Sequence, residues 1–142
     1  MSKKYPPLFV VDLHEDNIVD ANYVYSTGRL GLEDPLAIAI EEIVRGNANS
    51  FNGITRFADE KIANGIISIR DGSATTMMGE NKIYQRGVLV PGPNACAVIT
   101  VETNSKLELN QRIQTHEKVI AKLPELRELV LTNQAYNVSI RD

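Results

Sequence analysis

Apolar positions along the chain fall into two periods. Between Leu36 and Val44 they recur at three-and-four spacing, Leu36, Ala39, Ile40, Ile43 and Val44, which is the stripe of a helix buried on one side. Asp34 supplies an N-cap oxygen, Pro35 suits the first turn and Gly46 supplies a stop, so the pattern predicts a helix over 34–46. Ile38 lies off that stripe and is a candidate for a subunit interface. A second seam, Leu109, Ile113, His116, Ile120 and Leu123, alternates steps of four and three. Ser105 and Glu108 before it have capping-box spacing, and Pro124 cannot continue the hydrogen-bond ladder. A helical segment over 105–132 is therefore expected, with a kink or a second short helix from Glu125 to Leu131.

Runs rich in Val, Ile, Tyr and Phe predict strands at Leu8–Leu13, Gly65–Arg70, Ser73–Met78, Ile83–Val90 and Ala95–Val101, with further candidates at Ile18–Tyr25 and Tyr136–Ile140. Asp71-Gly72 is a short-hairpin signal, and Pro91-Gly92-Pro93-Asn94 reads as a tight turn between two strands. Together these elements predict one α+β domain over 1–142: an antiparallel β-meander with one central helix (34–46) and a C-terminal helical segment (105–132) packed on it.

Composition narrows the functional classes. The net charge of −3 lacks the basic surplus of a general polyanion binder, so a nucleic acid polymer is not an expected partner. One cysteine, Cys96, allows no internal disulfide and no Cys-rich zinc site; its apolar run suits an inert buried thiol. The run Leu8–Val11 is broken by Asp12 before it could serve as a signal h-region, and no stretch nears the ~20 apolar residues of a membrane span. A cytoplasmic location without membrane contact is the expectation.

Asp12, His14 and Asp16 alternate at the end of the first strand and so share one face, offering carboxylate and imidazole donors for a divalent ion. The stretch Val10-Val11-Asp12-Leu13-His14 resembles the first metal-binding block of calcineurin-like metallophosphoesterases, in which a strand delivers an aspartate and a histidine to a two-metal centre. The later Gly-Asp and Gly-Asn-His blocks of that family have no counterpart, which leaves a mononuclear site at Asp12, His14 and Asp16 as the metal candidate. Glu41-Glu42, Asn47 and Asp71-Gly72 resemble pieces of the gyrase-type ATP-binding fold, but the spacing fails and no ATP site is expected.

Serine and threonine nucleophiles have no histidine partner in the pattern, so no catalytic residue and no cofactor is assigned. The leading expectation is a non-enzymatic, homo-oligomeric assembly protein that uses Ile38, Leu109, Ile113, His116 and Ile120 as its interface. The alternatives are a binder of a phosphate-bearing or nucleotide-like ligand held by Arg29, Arg86 and Asn94 between subunits, and a metal-dependent hydrolase at Asp12, His14 and Asp16.

Overall fold

Strand β8 (Val98–Asn104) is the element on which the fold is built, because it lies between the two earliest strands. In the computed structural model, which describes residues 7–55, 59–69, 82–91 and 95–136, β1 (Val10–Asp16) runs parallel to one side of β8. On its other side β2 (Tyr23–Thr27) runs antiparallel to it, and β5 (Ile66–Ile69) lies parallel outside β2. The sheet order is thus β1-β8-β2-β5. Two small ribbons flank it, β3 (Gly53–Ile54) with β4 (Lys61–Ile62) and β6 (Lys82–Gln85) with β7 (Val88–Pro91).

The α+β class holds, but the main sheet is mixed rather than a meander. The expected pairing of Ile83–Val90 with Ala95–Val101 gives way to a hairpin inside the first run. Arg86 and Gly87 both have positive φ, 52° and 78°, and make the two-residue turn that joins β6 to β7. Every residue of β8 is buried, so this strand has been drawn into the centre by its runs of Val, Ile and Thr. The Asp71-Gly72 hairpin, the strand at Ser73–Met78, and Gly92, Pro93 and Asn94 lie outside the described residues. So does most of the strand expected at Tyr136–Ile140; Tyr136 itself ends a short 3₁₀ turn (Gln134–Tyr136).

Helix α1 (Pro35–Arg45) forms as its caps dictate. The Asp34 carboxylate accepts from Leu36 N at 3.0 Å, and Gly46 leaves the helix at φ 61°. Tyr136 locks that start: its hydroxyl donates to Asp34 Oδ1 and accepts from Leu36 N at 2.8 Å. Leu36, Ile40 and Val44 enter the main core with Val24, Ile66, Ile99, Val101, Val119, Leu126 and Val130. Ile38 stays exposed, as its place off the stripe requires.

The C-terminal segment begins later than expected. Helix α2 (Leu109–Ala121) starts after Glu108, whose side chain makes no cap bond; Ser105 instead joins the strand end through Ser105 N to Asp16 O at 2.8 Å. The capping box is not used. Pro124 does what the sequence implied, since α3 (Leu123–Thr132) is a separate helix with proline in its first turn. Of the α2 side chains only Val119 is fully buried, whereas Leu109, Ile113 and Ile120 remain exposed. Among the described residues no helix is long and apolar enough to cross a membrane.

Candidate functional site

Alternation along the strands gives the sheet two different faces. Residues Val11 and Leu13 of β1, Ile99 and Val101 of β8 and Val24 of β2 turn toward the helices. Their neighbours turn away, and register sets them side by side: Asp12 by Thr100, His14 by Glu102, Asp16 by Asn104, then Tyr23 by Glu102 and Tyr25 by Thr100. The outcome is a polar face, with no helix on it among the described residues, that gathers three acids, an imidazole and two phenols.

Asp12 Oδ2 meets His14 Nε2 at 2.7 Å, with the His14 side chain 52% exposed and the Asp12 side chain 20%. The pair is therefore formed but open to solvent. Asp16 is spent on the turn that follows it. It accepts from Ile18 N at 2.8 Å and Val19 N at 3.2 Å, and from the Tyr23 hydroxyl at 2.8 Å. The three residues of the expected metal site thus share a face, but only two of them touch.

Glu102 is the residue that sequence reading missed. It is 9% exposed, and burial pushes its carboxyl up to about 7; His14 opposes the shift, while Asp16 and Asp12 add to it. Beside it the Tyr23 and Tyr25 hydroxyls stand 3.3 Å apart and their rings meet edge to face at 5.4 Å. Burial, reinforced by Tyr25 and Asp16, holds the Tyr23 phenol far above its ordinary range, and burial raises Tyr25 as well. Glu15, Asp16, Tyr23, Tyr25, Thr55 and Glu102 line a cavity of about 100 Å³, room for a few waters or a small functional group. The signal for Glu102 was present in the sequence as Thr100-x-Glu102-x-Asn104, a polar alternation that runs on past the strand expected at Ala95–Val101.

The other candidates are scattered. Arg29 donates to Ala135 O at 2.9 Å and so ties two distant segments; it also lines an open cleft with Gly31, Glu33 and Ser68. Arg86 occupies the exposed tip of the β6–β7 hairpin, and Asn94 lies outside the described residues. His116 Nε2 faces Thr103 Oγ1 at 3.2 Å between α2 and β8, and burial lowers its imidazole while Glu15 works against that. Cys96 is free, with burial pushing its thiol up, which suits an unreactive role.

No protein-family model matches the chain, and no curated protein matches it. Solved structures do share its fold. A proposed metallopeptidase from Shewanella baltica OS155 superposes with a TM-score of 0.63 at 17% identity, over 83% of this chain and 40% of that one. One from Shewanella amazonensis SB2B gives 0.62 at 16%, with the same coverage. A third, from Shewanella denitrificans OS217, gives 0.56 at 18% over 79% of this chain and 37% of its own. The chain spans about two fifths of the neighbours it matches. These neighbours overturn the expectation of a non-enzymatic assembly protein, which had rested on finding no complete catalytic set in the sequence and on apolar residues at Ile38 and along the late helix that could serve an interface.

Proposed function

We propose that the chain is a metal-dependent hydrolase unit whose chemistry sits on the polar face of the sheet, at Asp12, His14 and Glu102. The observation that carries this reading is Glu102, a buried carboxyl raised to about 7 in register with an Asp–His pair. A carboxyl at that value can take and return a proton at neutral pH, whereas an ordinary one is already ionised. The shared fold of the Shewanella proposed metallopeptidases supports hydrolysis of a peptide bond as the first reaction to test.

The metal itself fits only in part. Among the described residues no three of His, Cys, Asp and Glu stand close enough to hold an ion, and Asp12 with His14 supplies two donors where a catalytic zinc takes three. Such an ion would supply a polarising charge and an activated water when bound. The chain's own residues have separate tasks. Asp12 holds the His14 ring by its Nε2. Glu102 exchanges a proton at the cavity wall, and the Tyr23 and Tyr25 hydroxyls keep that wall polar. A cytoplasmic setting belongs to the same proposal and agrees with the free thiol of Cys96.

The test is hydrolysis of a peptide library by the purified chain with Zn²⁺, Mn²⁺ or Co²⁺ added. Glu102→Gln keeps the shape and removes the titrating group, so kcat should fall by about 10²-fold or more and the pH dependence near 7 should vanish. Equal activity in Glu102→Gln, or no hydrolysis by the wild type with any of the three ions, would refute the proposal.

A further inference from the structure

The small cavity beside Glu102 is walled by acceptors whose own protons are already committed. Tyr23 has one hydroxyl proton and donates it to Asp16 Oδ2 at 2.8 Å. Tyr25 is therefore the donor in the 3.3 Å contact between the two hydroxyls, and its oxygen keeps a lone pair for the cavity. The Asp16 carboxylate accepts from Ile18 N, Val19 N and the Tyr23 hydroxyl, and a carboxylate has about four such sites, so one remains. Thr55 Oγ1 accepts from Glu60 N at 3.2 Å.

Glu102 differs from these groups. It lines the cavity and is 9% exposed, yet its carboxyl has no hydrogen-bond partner among the described residues. A buried carboxylate left in that state is costly, so a partner is missing from the cavity. Charge gives the sign of that partner. Glu15 is paired with Arg112, but among the described residues no Lys or Arg lines the cavity or bonds to Asp16 or Glu102. Burial raises the Glu102 carboxyl against the opposing effect of His14, and Asp16 and Asp12 add to the rise. A cation seated between these groups offsets all of those costs.

We infer that this cavity is the seat of a primary ammonium group on the substrate, held by Glu102, Asp16 and the Tyr25 hydroxyl. The inference rests on the hydrolase reading above and gives it a substrate class, a peptide that presents an α-amino group or a lysine side chain near the bond to be cut. An ammonium brings three N–H donors and one positive charge, which matches three acceptor groups and an uncompensated negative charge. A cavity of about 100 Å³ admits the ammonium and the carbon that bears it, and Ile18 and Val19 give that carbon apolar contact. A substrate carboxylate would instead face Asp16 and Glu102, so the same wall rejects it. Glu102 has two oxygens, and holding the ammonium with one leaves the other for proton exchange.

The test compares peptides that differ only in acetylation, cut by the whole chain with the Zn²⁺, Mn²⁺ or Co²⁺ that supports hydrolysis. One pair is free or acetylated at the N-terminus, and the other carries lysine or Nε-acetyl-lysine. KM should rise about tenfold or more on acetylation in at least one pair, and the pair that responds identifies the source of the ammonium. Equal KM within both pairs overturns the inference while the hydrolase reading stands. Binding is measured without turnover by thermal melts in ethylammonium chloride against tetramethylammonium chloride, which has the charge but no N–H donor. Ethylammonium should raise the melting temperature, and Asp16→Asn, which keeps an oxygen for the turn, should lose that rise. If circular dichroism shows Asp16→Asn unfolded, Tyr25→Phe replaces it. Equal melting temperatures in the two salts, or an undiminished rise in the variant, overturn the site. A rise with ethylammonium in a chain that cuts none of the peptides keeps the ammonium site and removes the hydrolase reading.

Discussion

Ile99 and Val101 of β8 point into the helices, while Thr100 and Glu102, one residue along in each case, point to the open side. Both sets are buried, yet for different reasons. The helix side is closed by area: Leu36, Ile40 and Val44 of α1 and Val119 of α2 remove those side chains from water, and the gain scales with the apolar surface covered. The other side is closed by smaller pieces, chiefly Val19, Tyr23, Ile62 and Ile67 with Phe51 and Ile69 packed against them. Near β1 that second cluster stops, and Glu102, Asp12 and His14 are left at its border. One face of the sheet is thus specified by packing throughout, and the other changes from packing to polar chemistry across its width.

Substitutions can break that comparison, and the largest expected effect is on the helix side. Ile99→Ala removes a side chain with no exposed surface from the middle of the core and should lower unfolding free energy by about 2–5 kcal/mol in urea titrations. Glu102→Gln tests the polar side through pH. A carboxyl raised in the folded state binds its proton more tightly there than in the unfolded chain. Its stabilising contribution is complete below the ordinary carboxylate range and is lost as pH rises through about 7. Wild-type stability should therefore decline across that window, and the glutamine variant should show a flatter profile by thermal melts at stepped pH. The smallest effect belongs to Ile38, which serves neither face: Ile38→Glu should move the unfolding free energy by no more than about 0.5 kcal/mol.

Local signals in the sequence were sufficient where local interactions decide the structure. Asp34, Pro35 and Gly46 bounded α1 because capping depends on a few adjacent residues, and the separate helix at Pro124 follows from one missing amide hydrogen. The seam of α2 was visible as a period, but not which of its sides would be covered. Val119 took the interior, because the direction of approach is fixed by α1 and the sheet rather than by α2 itself. Strand partners were the least legible part. Pairing β8 with both β1 and β2 spans some eighty residues of sequence, and nothing near Val98 announces it.

The candidate site shared that fate in proportion. Asp12 and His14 stood out because alternation within one strand places them together, and they do meet. Glu102 was hidden because its importance arises only when β8 lies beside β1. Asp16 was overvalued for the same reason, since its oxygens are taken by the backbone of the turn at Ile18 and Val19.

The insertion of β8 between β1 and β2 also fixes an order of events. Until residue 104 has been synthesised, β1 has no partner among the described strands, and β2 has only β5 paired to it, with α1 against its apolar side. The sheet therefore closes late, through contacts of high sequence separation, which is the class of topology that folds slowly. During synthesis the Val10–Asp16 edge stays exposed in the growing chain, and that interval is when aggregation competes most strongly with folding.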